Sequence, residues 1–199
     1  MYAVIRSADP ADACVTYDDE AGGRMAVEHL VAMGRRRIAH VTGPRHHYAA
    51  SARFRGWEAA LVDTGLPGVR PDLAFGAWSE EWGRQAAVVL AGESPDLDGV
   101  CCGSDQVARG VIDGLREAGR RVPDDVAVVG FDNWDVMATG RRPMLTTIDP
   151  NLHNVGRVAA EHLLAAIDGE PRQGVHLIAP RLVVRESTPG PRHPRIDAT

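Results

Sequence analysis

Short apolar runs alternate with longer amphipathic segments along the chain, which is the pattern of strands and helices in turn. The apolar runs predict strands at residues 3–5, 14–17, 37–41, 73–75, 100–102, 126–129, 145–148, 176–178 and 182–184. Apolar residues at helical spacing predict helices at residues 19–33, 51–62, 80–90, 105–118 and 152–167. This alternation predicts an α/β fold with a doubly wound parallel sheet. We find no internal repeat in the pattern.

Polar residues at the starts of the predicted helices are expected to cap them, and these are Asp18 or Asp19, Ser51, Ser79 and Asn151. The last helix is expected to turn the following side chains inward: Leu152, Val155, Ala159, Leu163 and Ala166. The two final strands, joined at Ala179-Pro180, are consistent with a hairpin. From Thr188 onward, prolines and glycines without an apolar period predict a loose tail.

Three predicted strands end in small and polar residues: Thr42-Gly43-Pro44, Gly103-Ser104-Asp105 and Gly130-Phe131-Asp132. Carboxyl ends of parallel strands lie at one edge of a sheet, where diverging loops leave a crevice for ligands. We therefore expect a binding site for a small polar molecule at this edge. Asp105 and Asp132 would accept hydrogen bonds there, Arg53 would offer its guanidinium group, and Trp78 would stack on a flat or sugar-ring face.

Each of these four residues has an ordinary structural role as an alternative. Asp105 can cap the helix that follows it, and Asp132 can form a local Asx-type turn. Arg53 can be a solvated helix residue. Trp78 can belong to the core or to an interface.

Composition and charge narrow the possible functions. The chain has 199 residues and a net charge of −5, with no long block of like charges. The sequence therefore does not indicate a basic surface for nucleic-acid binding. The three cysteines include adjacent Cys101 and Cys102, which point to opposite faces of a strand and are expected to be buried thiols. The N-terminus does not resemble a signal peptide, and no apolar run reaches membrane-spanning length. These features predict a soluble, cytoplasmic protein that has no membrane partner.

The chain shows no motif for catalysis or cofactor binding. It contains no lysine, which excludes a Schiff-base lysine and the lysine of a phosphate-binding P-loop. It also has no Gly-x-Ser-x-Gly elbow, no Gly-x-Gly-x-x-Gly after a strand and no His-Glu-x-x-His. Adjacent His46 and His47 have no spaced metal-ligating partner. We expect neither an enzyme nor a metal or cofactor site.

An ordered series of motifs resembles the lactose-repressor/galactose-repressor (LacI/GalR) family of bacterial transcription regulators. The motifs are DEAGGR at 19–24, EHL at 28–30, RRIA at 36–39, TGP at 42–44, SAR at 51–53, GW at 56–57, CGSDQ at 102–106, VVGFD at 128–132, RP at 142–143, LTTI at 145–148 and RLVVRES at 181–187. No single motif is decisive, but the ordered set is specific and covers most of the chain.

The resemblance implies the effector-binding core of such a regulator, which resembles type I periplasmic sugar-binding proteins in having two Rossmann-like lobes with a ligand between them. It assigns ligand binding to His47, Arg53, Trp78, Ser104, Asp105 and Asp132. Ser104 stands where sugar-responsive members commonly have asparagine. The implied ligand is a sugar or sugar derivative, bound without a cofactor, and the implied assembly is a homodimer.

By comparison with the family, residues 18–148 are expected to form the C-terminal lobe, with residues 1–17 and 149–187 as a remnant of the N-terminal lobe and 188–199 as a tail. The family's helix-turn-helix headpiece has no counterpart here, so operator DNA would be contacted only through that missing part. We expect the truncated lobe to leave apolar surface exposed on helix 152–167. We expect this surface to be covered by dimerisation or by exchange of elements between chains, or the segment to be disordered.

Two other functions remain as alternatives. A solute-binding protein that feeds a sugar transporter would have the same two-lobed fold. An enzyme on this α/β scaffold is the third possibility, although no catalytic constellation supports it.

Overall fold

The computed structural model describes residues 2–3, 9 and 11–188. In chain order the strands are β1 (Tyr2–Ala3), β2 (Ala13–Tyr17), β3 (Ile38–Val41), β4 (Gly68–Val69), β5 (Gly99–Cys102), β6 (Ala127–Phe131), β7 (Thr146–Asp149), β8 (Gly174–Ile178) and β9 (Arg181–Val183). The helices are α1 (Asp19–Ala32), α2 (Tyr48–Thr64), α3 (Glu80–Glu93), α4 (Asp105–Glu117), α5 (Asp135–Thr139) and α6 (Leu152–Ile167). The α/β fold predicted from the sequence is confirmed.

The strands form two sheets. The larger has the order β4-β3-β5-β6-β7-β9, in which every neighbouring pair is parallel except β7 with β9. The smaller has the order β1-β2-β8 and is entirely parallel. The chain passes between the sheets after β2, after β7 and after β8, so three segments connect the two sheets.

Helices cover both faces of the larger sheet, so its strands are apolar on both sides. One core layer lies against α3 and α4 and includes Cys102 and Val111; the other lies against α1 and α2 and includes Leu30 and Cys101. The adjacent cysteines therefore point to opposite faces, as expected. Cys101, Cys102 and Cys14 are all buried, and none of the three forms a disulfide bond.

Reciprocal glycine contacts bring the covering helices together in pairs. A Cβ atom on Gly23 of α1 would lie 2.1 Å from the Arg53 carbonyl oxygen, and one on Gly56 of α2 would lie 2.0 Å from that of Glu20. The pair α3 and α4 uses Gly83 and Gly110 in the same way. Glycine is required at these crossings because any side chain would collide with the partner's backbone.

Helix α6 carries a similar sequence, but no helix in the described part of the chain packs on it in this way. Residues 23–32 of α1 and 156–165 of α6 share Gly-Arg-x-Ala-x-Glu-His-Leu-x-Ala, an internal repeat that the pattern of apolar residues did not show. A Cβ atom on Gly156 would meet nothing within 4 Å. The expected exposed apolar surface is present, since Leu163, Leu164 and Ile167 are 49%, 61% and 72% exposed.

The inward face of α6 differs from the prediction. Val155 and Ala159 are buried as expected, and Val158 and His162 join them, but Leu152, Leu163 and Ala166 are exposed. The cause is the small size of the three-stranded sheet, which covers only a narrow stripe of the helix.

One predicted helix cap is wrong, and a second is correct only in its position. Helix α2 begins earlier than expected, at Tyr48 after His47, and the Ser51 hydroxyl bonds to the carbonyl of Arg45 instead of capping. Asn151 is the N-cap residue of α6, but its side chain makes no capping hydrogen bond. The predicted caps Asp18 and Ser79 are confirmed, because they accept hydrogen bonds from Ala21 and Trp82.

Several strand and loop predictions need correction. Residues 73–75 are not a strand, because Pro71–Leu73 form a 3₁₀ turn and Phe75 makes only an isolated bridge to Thr42. The loop after β6 contains the short helix α5. The predicted hairpin does not form, because β8 pairs with β2 in one sheet and β9 pairs with β7 in the other.

The position of β9 also changes the expected division into lobes, since this strand from segment 149–187 belongs to the larger sheet. Ser187 continues along the same sheet, with hydrogen bonds to Val128 and Thr146. Most of the predicted tail, after Thr188, lies outside the described residues. Within the described part of the chain, no helix is long and apolar enough to cross a membrane.

Candidate functional site

A cavity of about 310 Å³ opens at the carboxyl ends of β3, β5 and β6. It is lined by His47, Ala49, Arg53, Trp78, Ser104, Gln106, Asp132 and Trp134. Its volume is at the lower end of the range of small-molecule sites. Five of the six residues that the sequence assigns to ligand binding line this cavity, and Asp105 is the exception.

Arg53 is the most strongly fixed side chain of the cavity. Its Nε donates a hydrogen bond of 2.8 Å to Oδ1 of Asp19, and Nη1 donates to the carbonyl oxygen of Gly103. Its Nη2 lies 3.4 Å from the hydroxyl of Tyr17. Only 4% of the arginine side chain is exposed. The solvated-helix alternative for Arg53 is therefore wrong, and its guanidinium group is held in one orientation.

The guanidinium of Arg53 lies over an aromatic ring and beside a second carboxylate. Its Cζ is 3.6 Å from the ring centroid of Phe131, a cation–π contact. Its Nη1 is 3.6 Å from Oδ1 of Asp132, whose side chain is 39% exposed toward the cavity. Burial raises the pKa of Asp132 to about 6, although the positive charge of Arg53 opposes this shift. Asp132 and Arg53 thus offer a hydrogen-bond acceptor and a donor next to each other.

Asp105 does not reach the cavity surface, contrary to its predicted contact with the ligand. The residue is completely buried, and its carboxylate accepts hydrogen bonds from the Thr147 hydroxyl at 2.5 Å and the Trp134 backbone N–H at 2.8 Å. Burial raises its pKa to about 7. Gly130 leaves space for this carboxylate, because a Cβ atom there would lie 2.3 Å from Asp105 Oδ1. Asp105 therefore supports the loop that carries Trp134.

The helix-capping alternative for Asp105 is also wrong, because Ser104 fills that role. The Ser104 hydroxyl accepts a hydrogen bond of 3.2 Å from the backbone N–H of Val107, at the start of α4. Ser104 still lines the cavity, so a ligand there would lie close to the N-terminus of α4. The positive end of the helix dipole favours electron-rich groups at this position.

Trp78 and His47 form a wall of the cavity. The indole Nε1 of Trp78 donates a hydrogen bond of 2.8 Å to Nδ1 of His47, which leaves Nε2 of a neutral His47 free to carry the proton. The indole lies against the turn after β3, where a Cβ atom on Gly43 would lie 2.1 Å from Trp78 Cε2. The interaction fixes the plane of the indole, so that the ring can stack on a ligand.

Five residues of the site were not among those predicted from the sequence. Ala49, Gln106 and Trp134 line the cavity, while Asp19 and Tyr17 contact Arg53 from the side away from it. Gln106 directly follows the polar segment Gly103-Ser104-Asp105, and Trp134 lies two residues after Gly130-Phe131-Asp132, so the same edge argument could have found them. The sequence indicated Asp19 only as a possible helix cap, and it is in fact the first residue of α1.

The chemistry of the cavity suits a ligand rich in hydroxyl groups. It combines a guanidinium, a carboxylate, a serine hydroxyl and a glutamine amide with the two indoles of Trp78 and Trp134. Such a set binds hydroxyls through paired hydrogen bonds and ring faces through stacking. Among the residues that the structure describes, no group of three or more His, Cys, Asp or Glu side chains could hold a metal ion.

Comparison with known proteins gives the same fold and a family. Residues 27–188 match the periplasmic binding protein-like domain family. The transcriptional regulator CelR of Thermobifida fusca is 36% identical over 174 residues, which cover 87% of this chain and 51% of CelR. The lactose operon repressor of Escherichia coli is 30% identical over 177 residues, covering 89% of this chain and 48% of the repressor. The chain therefore spans about half the length of these relatives.

Solved structures agree with the sequence matches. A CelR–cellobiose complex has a TM-score of 0.80 at 32% identity, covering 94% of this chain and 57% of that one. A dimeric Lac repressor has a TM-score of 0.81 at 29% identity, covering 94% of this chain and 67% of that one. The named relatives are transcription regulators. The chain belongs to the LacI/GalR family of transcription regulators and contains its periplasmic-binding-protein-like domain.

Proposed function

We propose that this chain is the effector-binding part of a cytoplasmic LacI/GalR-type regulator and that its effector is a carbohydrate. The observation that carries the proposal is the pair Arg53 and Asp132, held 3.6 Å apart at the edge of the cavity beside the fixed indole of Trp78. A sugar ring fits this arrangement, because its hydroxyls can pair with both charges while its C–H face lies on the indole. The relative CelR has been solved with cellobiose.

The connections between the two sheets support a regulatory role for the cavity. Asn133, next to Asp132, donates a hydrogen bond of 3.3 Å to Asp149, at the point where the chain leaves β7 for the smaller sheet. Asp149 also accepts a hydrogen bond of 2.8 Å from Arg181, the first residue of β9, where the chain returns to the larger sheet. A ligand that binds one arrangement of the two sheets more tightly would shift the population toward that arrangement.

The regulator would act as a homodimer and would contact operator DNA through a separate helix-turn-helix part. Two names among the solved relatives support this, a dimeric Lac repressor and a Lac repressor dimer bound to operator. In such an assembly, the change in sheet arrangement would alter the spacing of the two DNA-binding parts. The residues described here would then supply ligand affinity and leave DNA affinity to the other part.

Titration calorimetry with a panel of mono- and disaccharides tests carbohydrate binding directly. We expect at least one sugar to bind saturably, and Asp132→Asn to weaken that binding by about tenfold or more, since a charged hydrogen bond contributes about 1.5–3 kcal/mol. Asp168→Asn is the matched control, because Asp168 is an exposed aspartate at the end of α6 and lies outside this cavity. The proposal would be contradicted if the folded chain bound no sugar, or if both variants lost the same amount of sugar affinity.

A further inference from the structure

A second cavity lies near the amino ends of β6 and β7, at the opposite edge of the larger sheet from the first cavity. Its volume is about 220 Å³, and it opens between the end of α4, the segment before β6 and the loop before β7. Its lining consists of three arginines and three apolar residues: Ile112, Arg116, Arg120, Arg121, Val122 and Pro143. In the described part of the chain the two cavities have no lining residue in common, so they are separate sites.

Arg120 is the fixed cation of this second cavity. Its Nη2 donates a hydrogen bond of 2.7 Å to the carbonyl oxygen of Leu97, and its Nη1 donates one of 3.2 Å to that of Pro95. Both acceptors are uncharged, and among the described residues no carboxylate forms an ion pair with Arg120. The guanidinium group is therefore held in one orientation while its positive charge is not neutralised by a direct partner.

Arg116 and Arg121 complete the cationic wall, and both have carboxylate partners. Arg116 uses only Nη1, which lies 3.1 Å from Oδ1 of Asp113, so its Nε and Nη2 have no hydrogen-bond partner in the part of the chain that the structure describes. Arg121 is more fully engaged, because it pairs with Asp125 at 2.8 Å and with Asp124 at 3.5 Å. None of these three carboxylates lines the cavity. Free N–H donors on the cationic wall thus belong mainly to Arg116.

The end of α4 does not oppose a negative ligand at this position, because its last carbonyl groups are already bonded. The backbone N–H groups of residues 118–120 donate to the carbonyl oxygens of Gly114, Leu115 and Arg116 at 2.8–3.0 Å. Gly119 makes this possible with a φ of 75°, the left-handed conformation common after the last turn of a helix. The partial negative charge of a helix end is carried by unbonded carbonyl oxygens. The arginines are therefore the dominant charges of the cavity.

The rest of the cavity is apolar. Ile112 is 3% exposed, and Val122 and Pro143 are half-buried. The position of Pro143 is fixed by Arg109 of α4, whose Nη1 donates a hydrogen bond of 2.9 Å to the Pro143 carbonyl oxygen. A site with a cationic wall and an apolar wall suits a ligand that has an anionic head and a hydrocarbon body.

We propose that this cavity binds a small organic carboxylate. The guanidinium groups of Arg116 and Arg120 donate hydrogen bonds to the carboxylate oxygens, and the hydrocarbon part of the ligand lies on Ile112, Val122 and Pro143. The volume of about 220 Å³ is below the usual range for drug-sized ligands, so the hydrocarbon part is short or consists of one ring. Inorganic phosphate could contact the same arginines but would leave the apolar wall uncovered. This proposal is independent of sugar binding in the first cavity.

A ¹H–¹⁵N spectrum of the full chain, titrated at pH 7 and constant ionic strength, tests the second cavity. The probes are sodium benzoate and sodium butyrate; sodium phosphate tests the anionic charge alone, and sodium chloride is the reference. We expect the backbone signals of Gly119, Arg120 and Val122 to shift saturably with at least one carboxylate. Its Kd should be at least about threefold below that of phosphate, since apolar contact adds to the charge interaction. Shifts that do not saturate with either carboxylate, or phosphate binding as tightly as the carboxylates, would overturn the proposal.

Two arginine variants separate a specific contact from general attraction by positive charge. Arg116→Gln is expected to weaken carboxylate binding about fivefold or more, because it removes guanidinium donors. The side chain of Arg116 is 62% exposed, so the variant keeps the core intact. Arg36→Gln is the matched control, since Arg36 is an exposed arginine just before β3, near the same edge of the sheet but outside the cavity. It should change the Kd by less than about twofold. Equal weakening in the two variants would overturn the proposed site.

Discussion

The Nε atom of Arg53 donates a 2.8 Å hydrogen bond to Oδ1 of Asp19, and the two side chains are only 4% and 6% exposed. Asp19 begins α1 and Arg53 lies in α2, so this ion pair joins the two helices beside their glycine crossing. The close approach permitted by Gly23 and Gly56 brings the two charged groups within reach. The orientation of the main cationic group in the cavity therefore depends on how two helices pack.

Asp19→Asn is expected to weaken both folding and ligand binding, because it removes the negative charge that Arg53 faces in a buried position. Loss of one partner of a buried ion pair costs about 3–5 kcal/mol of unfolding free energy. Urea unfolding measures this cost. Glu20→Gln is the matched control, because its ion pair with Arg55 is about half exposed, and the loss there should be below about 1 kcal/mol. Equal effects of the two variants would contradict the assigned role of Asp19.

Sugar affinity is expected to fall as the pH decreases through about 6, the pKa to which burial raises Asp132. Below that pH the carboxyl group gains a proton and can no longer accept hydrogen bonds from ligand hydroxyls as an anion. Calorimetry at pH 5, 6.5 and 8 should show binding about tenfold weaker at pH 5 than at pH 8. Asp132→Asn should bind weakly with a flat profile over this range. A wild-type profile that is equally flat would show that the Asp132 carboxylate does not contact the ligand.

Asp105 is expected to make the fold less stable as the pH rises through about 7. Its ordinary pKa is 3.8 and burial raises the folded value, so the folded state holds the proton more tightly than the unfolded state. The stability contributed by this proton is fully present below about pH 3.8 and is lost as the pH rises through about 7. Asp105→Asn should remove this contribution, so its urea midpoint should fall less between pH 5 and pH 8 than that of the wild type. Urea midpoints of the wild type and of Asp105→Asn that change equally with pH would contradict the role assigned to Asp105.

Alanine at the two matched glycines of the internal repeat should have opposite effects. Gly23→Ala is expected to destabilise the chain by about 1–3 kcal/mol, because its methyl group would overlap the backbone of α2. Gly156→Ala, in the same sequence setting on α6, should stabilise it by about 0.5–1 kcal/mol, because nothing lies near and alanine favours helix. Thermal unfolding compares the two variants. A destabilising Gly156→Ala would show that another helix packs on α6 in solution.

Much of the candidate site could be predicted from the sequence, because strand ends in a parallel sheet meet at one edge whatever the details of the loops. That rule brought Arg53, Ser104 and Asp132 to one cavity. It could not decide which member of Ser104-Asp105 faces the ligand, because a one-residue change in the start of α4 exchanges their directions. The space beside Gly130 decided this in favour of a buried Asp105.

The errors in the fold prediction have a common physical cause, which is pairing between segments that are distant in the sequence. Strands β8 and β9 are separated by only Ala179 and Pro180, so local spacing predicts a hairpin. The open edges of β2 and β7 compete for these strands and direct them into different sheets. Similarly, the apolar period of α6 predicts a wide buried face, but the small sheet covers only a part of it. Neither result is visible in a local window of sequence.

The indole N–H signals of the protein test sugar binding at the cavity most directly. Of the chain's four tryptophans, Trp78 and Trp134 line the cavity, whereas Trp57 points from α2 into the core and serves as an internal reference. In a ¹H–¹⁵N spectrum titrated with the sugar that binds in calorimetry, we expect the Trp78 and Trp134 indole signals to shift saturably with the same Kd while the Trp57 signal stays in place. Saturable binding that leaves the signals of Trp78 and Trp134 unmoved would contradict the account.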